Sequence, residues 1–179
     1  MAKRTCKGCK KKFEQLRSNQ VVCSFECSID YTNELKEKKE RKEWRAKKKR
    51  IKESLKTHSD YTKELQIVFN KYIRLRDKGN NCISCNKPAK KENAGHYRSV
   101  GSCPELRFKE TNVHLQCEYC NTHLHGNLIE YRRNLIKKIG VEEVELLENY
   151  HIPMKHSIPE LIEMKVIYKD KIKKLEKSS

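Results

Sequence analysis

The chain has 179 residues, 36% hydrophobic and 36% charged, an apolar supply too thin for one large core and better suited to small units stapled by metal. A formal net charge of +17, from 41 Lys plus Arg against 24 Asp plus Glu, points to a polyanionic partner, though charge alone fits an RNA-binding protein as well as a DNA-binding one. No apolar run is long enough to cross a membrane and no signal-like segment follows Met1, so the nine cysteines are read in a reducing, cytoplasmic setting, where paired thiols favour metal over disulfides.

Residues 1–31 hold the first cysteine cluster. Two residues separate Cys6 from Cys9, and three separate Cys23 from Cys27. Each pair can turn both thiolates toward one ion, and four such soft ligands fill the tetrahedron of Zn²⁺. With no open position the site is structural. It would present nearby lysines to phosphates, with a protein partner as the competing role, and Phe13 and Phe25 would supply a small core beneath the metal.

Residues 32–58 are charge-dense, with no Gly or Pro. Strong helix formers and Glu/Lys neighbours at i,i+4 predict a solvated helix over Thr32–Lys56, and a disordered basic linker is the alternative. In either form Lys47, Lys48, Lys49 and Arg50 could lie along a DNA backbone.

Residues 59–140 open with a firmer helix, Ser59–Lys78, capped by Ser59 or Asp60 and stopped at Gly79; Leu65, Phe69, Tyr72 and Ile73 recur on one face. Cys82, Cys85, Cys117 and Cys120 then form a second four-thiolate zinc set. Cys103 is left over as a free thiol. Between and after these pairs lie His96 and Arg98, then Arg107, Asn112 and His114, then Asn121, His123 and His125. That order is the strand, loop, strand and helix of an HNH (His-Me finger) site clamped by zinc.

Phosphodiester cleavage explains the residue types. A neutral imidazole can deprotonate a water, which makes His96 the candidate base. Asn112 can orient it through its amide. Asn121, with His125 as a second ligand, would hold a catalytic Mg²⁺ or Mn²⁺ at the start of the helix. Arg98 and Arg107 are candidate phosphate contacts. His114 is read as structural. The competing reading makes both zinc sites structural and His96 incidental, in a non-enzymatic zinc-ribbon DNA- or RNA-binding protein.

Residues 141–179 read as helices. Val141–Tyr150 is amphipathic, Pro153 breaks it, and a last helix starts at Pro159 and runs to about Glu176. Their apolar stripes fit a homodimer and intramolecular packing equally.

The segments Cys82-Ile-Ser-Cys85, Ala94-Gly-His96-Tyr-Arg-Ser, Leu106-Arg-Phe, Asn112-Val-His-Leu-Gln-Cys117 and Cys120-Asn-Thr-His-Leu-His-Gly-Asn127 resemble the NinG/Rap family of lambda-type phages. The N-terminal knuckles and basic run also look like that family. The resemblance implies a structure-specific endonuclease for branched DNA, such as Holliday junctions and D-loops. It would act in phage recombination inside the infected bacterial cell. The two CxxC pairs with Asn121 after the last cysteine are also similar to the phage junction-resolving endonuclease VII class, which implies a divalent metal and a dimer. Many HNH sites carry an acid just before the base. Here that position is Gly95, so Asn121, His125, Asn127 or Glu130 would have to compensate. The expected fold is small, helix-rich α+β: a zinc ribbon, a basic helix, a ββα-metal module with its own zinc site, and C-terminal helices.

Overall fold

The computed structural model describes residues 3–150, 152 and 154–178. Pro153, expected to break a helix, lies outside the described residues. The chain forms two units, Met1–Lys56 and Thr57–Ser179.

In the first unit β1 (Lys3–Thr5) and β2 (Lys12–Glu14) make an antiparallel hairpin around the first cysteine pair. Helix α1 (Phe25–Ser54) starts seven residues before the expected Thr32, at an N-cap Ser24 whose side chain accepts from the Cys27 N–H. The second cysteine pair is thereby built into the helix start, and the basic run continues the same helix. No residue of α1 is buried, so its stability rests on local propensity and on i,i+4 pairs such as Glu34–Lys38. Phe25, expected beneath the metal, is 78% exposed. It sits two residues from Cys27, about 200° round the helix, and so turns away when the thiol turns in.

In the second unit α2 (His58–Arg76) is capped by Thr57, two or three residues before the expected Ser59 or Asp60. Thr57 and Asp60 bond each other's backbone N–H groups in a capping box, so Asp60 takes the third helical position. Then β3 (Glu92–His96) and β4 (Val113–Cys117) pair antiparallel, His96 opposite Val113 and Gly95 opposite His114. Helices α3 (Leu128–Ile139), α4 (Val141–Glu148) and α5 (Ile158–Ser178) follow. The whole is a small, helix-rich α+β protein with two two-stranded sheets among the described residues.

Alternation along the strands gives the β3–β4 hairpin two covered faces. Val113 and Ala94 pack with Leu65, Phe69 and Ile73 of α2 and Leu161, Tyr168 and Ile172 of α5. Tyr131 and Leu135 of α3, with Val144 and Leu147 of α4, enclose Ile83, Tyr97 and Leu106 in a second core. Here the α5 stripe is used inside the chain, against α2.

One buried carboxylate joins these layers. Asp77, 4% exposed, takes the Arg76 fork at 2.9 and 2.8 Å, the Leu115 N–H at 3.0 Å and the Lys138 ammonium at 3.4 Å. Burial opposes its ionisation, but the His114 ring 3.6 Å away, Arg76 and the Leu115 N–H outweigh burial and hold the carboxyl well below the usual range. His114 is buried too. Burial, helped by the charges of Lys138 and Arg76, pushes its imidazole down from the ordinary value despite Asp77.

Both shifts are downward, so below about pH 6.5 the unfolded chain binds more protons than the folded one. The His114 contribution is complete above that value and is lost as pH falls below it. The Asp77 contribution is complete above about pH 3.9 and is lost in stronger acid. Urea unfolding of the zinc-loaded protein should therefore show stability declining on acidification from pH 7. Asp77→Asn should lower it by about 3 kcal/mol at pH 7, because Arg76 and Lys138 lose a buried partner.

Candidate functional site

The two first cysteine pairs fold alike. In Cys6–Cys9 the Lys10 N–H bonds the Cys6 carbonyl at 3.0 Å and the Cys6 N–H bonds the Lys11 carbonyl at 2.8 Å. In Cys82–Cys85 the Asn86 N–H bonds the Cys82 carbonyl at 2.9 Å and the Cys82 N–H bonds the Lys87 carbonyl at 2.9 Å. Lys10 and Asn86, each following the second cysteine, are both left-handed, at φ 62° and 54°.

Each knuckle faces a second pair, and the four Sγ atoms of each set lie within 4.8 Å of one another. Sulfurs around a tetrahedral zinc with bonds of about 2.3 Å are about 3.8 Å apart. The observed separations are 3.6 Å for Cys9–Cys23, 3.6 Å for Cys23–Cys27 and 3.9 Å for Cys85–Cys117. These are far too long for disulfides. Backbone N–H groups of Cys23 and Cys120 approach the sulfurs of Cys6 and Cys117 at 3.3 and 3.4 Å, which favours thiolate. Each set fits one zinc ion. Cys103 is buried in the second core, apart from both sets.

The second set organises the turn after β4. Cys117 ends the strand and Cys120 lies in a π-helical turn, Tyr119–His123. His125, Gly126 and Asn127 then run through three consecutive left-handed conformations, φ 47°, 95° and 45°. That path places the Gly126 carbonyl where the Gln116 amide donates to it at 2.6 Å; the same amide donates to Ser84 Oγ at 2.6 Å. Asn127 directs its amide at Cys120 Sγ, 3.8 Å away, so it serves the thiolate cluster.

His96 ends β3, half-buried, on the face opposite α3. Its Nε2 lies 3.0 Å from the Arg107 carbonyl, so Nε2 carries the proton and Nδ1 keeps the lone pair. Burial lowers its pKa; the Arg107 carbonyl bond opposes this and the Arg107 charge adds to it.

Asn112, fully buried, makes no side-chain hydrogen bond to the imidazole among the described residues. Its Oδ1 accepts from the Arg98 N–H at 2.8 Å, and its Nδ2 donates to the carbonyls of Arg98 and Leu106, each at 3.1 Å. It clamps the two ends of the 98–106 loop, and the residue after Leu106 supplies the carbonyl that holds His96. The buried Nε of half-buried Arg98 has no partner among the described residues.

Asn121 is half-buried and His125 exposed, and among the described residues no side-chain hydrogen bond joins either to His96. Glu130 pairs with Arg133 at 2.9 Å. Lys47, Lys48, Lys49 and Arg50 are all exposed on α1. The only groups of three or more His, Cys, Asp or Glu able to hold a metal, among the described residues, are the two cysteine sets.

Gly95 has a steric reason. A Cβ there would lie 2.1 Å from Gln116 Oε1, and Gln116 is fully buried and already committed to Gly126 and Ser84. An acid before His96 would have to expel it. Gln116, Ser84 and Asp77 were not picked out from sequence. Asp77 left a trace: a carboxylate just past a helix C-terminus opposes the macrodipole and calls for a tertiary partner.

The family model described as bacteriophage lambda NinG protein matches residues 1–178. The chain belongs to the NinG family. It is 38% identical to protein ninG of Escherichia phage lambda, over 99% of this chain and 95% of that one. Protein ninG of Escherichia phage 933W is also 38% identical, over 99% and 96%. For protein ninG of Salmonella phage P22 the identity is 37%, over 99% and 96%. No solved structure matches.

Metal analysis of the purified chain should find two zinc ions per molecule. Cys6→Ser and Cys82→Ser should each weaken one site alone, and chelation should abolish the cooperative urea transition of the second unit. Gly95→Asp should leave zinc stoichiometry intact but destabilise the fold by more than about 2 kcal/mol, through overpacking and an orphaned Gln116 amide.

Proposed function

We propose that this NinG-family protein is an HNH-like endonuclease that hydrolyses phosphodiesters in branched DNA, such as Holliday junctions and D-loops, during phage recombination. The observation that carries the reading is the state of His96. Its Nε2–H is held by the Arg107 carbonyl, and burial disfavours the imidazolium. A neutral ring with a fixed orientation and a free Nδ1 lone pair is the form a general base requires at neutral pH.

On this reading Nδ1 takes the proton of a water whose oxygen bonds the phosphorus as the P–O bond to the 3′ oxygen breaks, and that oxygen leaves on a proton from solvent. Asn112 is a positioning residue, acting through the loop backbone. The half-buried Arg98, whose Nε has no partner among the described residues, suits the phosphate with its developing charge, and the Arg107 side chain suits a neighbouring phosphate. The exposed Lys47, Lys48, Lys49 and Arg50 of α1 add sequence-independent backbone attraction.

Asn121 and His125 offer two neutral donors and no carboxylate, which does not make a Mg²⁺ or Mn²⁺ site by itself. Such an ion would complete its shell on DNA phosphate and water. A homodimer would supply two sites for symmetric cleavage of a four-way junction.

The lack of a His or carboxylate cluster among the described residues favours a second reading, a non-enzymatic zinc protein that binds branched nucleic acid. One experiment separates them: the zinc-loaded protein with a labelled four-way junction and a matched linear duplex, in Mg²⁺ and in Mn²⁺. Junction-selective cleavage is expected. His96→Ala should slow it by about 10²–10⁴-fold, and the wild-type rate should persist to a lower pH than a free imidazole of about pKa 6.5 would allow. Asn112→Ala should slow cleavage without altering that pH dependence. Tight junction binding with no cleavage in either metal would leave the second reading.

A further inference from the structure

A cavity of about 410 Å³ is bordered by Arg107, whose carbonyl holds His96. The size falls in the range, roughly 300–1,000 Å³, of small-molecule sites. Three segments of the second unit wall it: the first turns of α2, the 104–108 turn, and the strap at 154–156 that leads into α5. The His58 ring bonds the His156 carbonyl at 2.7 Å and ties the strap to α2.

The lining chemistry is uneven in a telling way. Lys63, Arg107 and Lys155 all border the cavity, and no carboxylate does. Elsewhere in this unit cations are commonly paired, as with Lys165–Glu64, Lys171–Glu110 and Arg132–Glu148. Among the described residues none of these three has an ion pair. The helix N-terminus at the cavity is already capped by its own Thr57 and Asp60, so it adds no anion site.

The remaining wall is apolar and aromatic. Phe108, only 6% exposed, is braced edge-on by Phe69 at 5.7 Å and meets the His156 ring at 6.1 Å. Unpaired cations around an aromatic corner match a group that is anionic at one end and flat and apolar at the other. A nucleotide has that shape: a phosphate for the cations and a base for the rings.

We propose that this cavity is a subsite for one unpaired nucleotide of the DNA substrate. Its phosphate would sit on Lys63, Arg107 and Lys155, and its base in the Phe108–His156 corner. The proposal rests on the nuclease reading for its source of the nucleotide. Duplex DNA keeps its bases stacked, whereas a branch point or displaced strand exposes bases that can enter a pocket. Arg107 links the two places, since its carbonyl fixes the His96 ring while its side chain borders the cavity. An occupied cavity would therefore select branched over linear DNA and seat the neighbouring phosphodiester near His96.

The test is a titration of isotope-labelled, zinc-loaded full-length protein with 5′-dAMP, with inorganic phosphate and with deoxyadenosine, followed by amide chemical shifts. The expected result is saturable shifts from dAMP confined to residues 58–63, 104–108 and 154–156. Phosphate and deoxyadenosine should each bind about tenfold more weakly or less. Lys63→Ala combined with Lys155→Ala should weaken dAMP about tenfold, with an unchanged urea midpoint. In parallel, dAMP should compete for a junction carrying 2-aminopurine at its unpaired position.

Phosphate binding as tightly as dAMP would make the cavity an anion site and overturn the proposal. So would shifts lying elsewhere, no saturable shift, or no competition. The junction-cleavage assay reads separately. Cleavage without dAMP binding removes the subsite and leaves the nuclease reading. Specific dAMP binding and competition without cleavage keep the subsite and remove the nuclease.

Discussion

The second unit depends on how the outer edge of β4 is satisfied. A two-stranded sheet leaves one edge of each strand without a partner, and here β4 is buried between helices where water cannot serve. Leu115 sits at the middle of that edge. Its N–H is taken by Asp77 at 3.0 Å and its carbonyl by the Ile83 N–H at 3.0 Å. A carboxylate from the end of α2 and a backbone amide from the zinc knuckle thus do the work of a third strand. This requires a charge in the core, and the Arg76 fork and the Lys138 ammonium compensate it.

That solution also sets the two faces of the hairpin. With Leu115 and Val113 turned toward α2 and α5, His114 and Gln116 must face α3, and so must Gly95 on the paired strand. Gln116 fills the space above Gly95 and bonds the turn that leads into α3. The Tyr131 hydroxyl closes the same corner on the Gly95 carbonyl at 2.9 Å. The position before the candidate base is therefore filled from across the sheet. His96 falls on the opposite face, toward the 104–108 turn. An acid at that position is incompatible with this packing, so on the proposed nuclease reading the phosphate charge would be balanced by cationic side chains or by an ion held largely by the DNA.

What the sequence made legible follows from how local each signal is. Paired cysteines at spacings of two and three residues are short-range devices, and both four-thiolate sets were readable as such. The helices were readable from apolar period and from stops such as Gly79 and Gly140; the Ile139 end of α3 and the Val141 start of α4 fell where expected, and other ends were displaced by a residue or more. The start of α1 was the largest displacement, because a helix beginning inside a cysteine pair looks like part of the knuckle. Long-range polar contacts left little trace. Asp77 is 38 residues from Leu115, and Gln116 reaches Ser84 across 32. The type of Asn112 suggested an orienting role, but its partners are backbone groups of a loop whose path only the folded chain defines. The cavity is of the same kind, since its walls come from three segments spread over about a hundred residues.

The second cysteine set explains how a bound metal could govern the surroundings of His96 without touching them. Zinc bound there would fix Cys117 and Cys120, hence the π-helical turn, hence the left-handed run at His125, Gly126 and Asn127. Left-handed conformations at two non-glycine residues are unfavourable unless surrounding contacts impose them. The Asn127 amide against Cys120 Sγ and the Gln116 amide against the Gly126 carbonyl are two of those contacts. Releasing the metal would relax the turn, withdraw the acceptor from Gln116, and free that side chain from its place over Gly95. The next residue is His96. A structural zinc would in this way hold the register of the hairpin on which the imidazole, its Arg107 acceptor and the Asn112 clamp all depend.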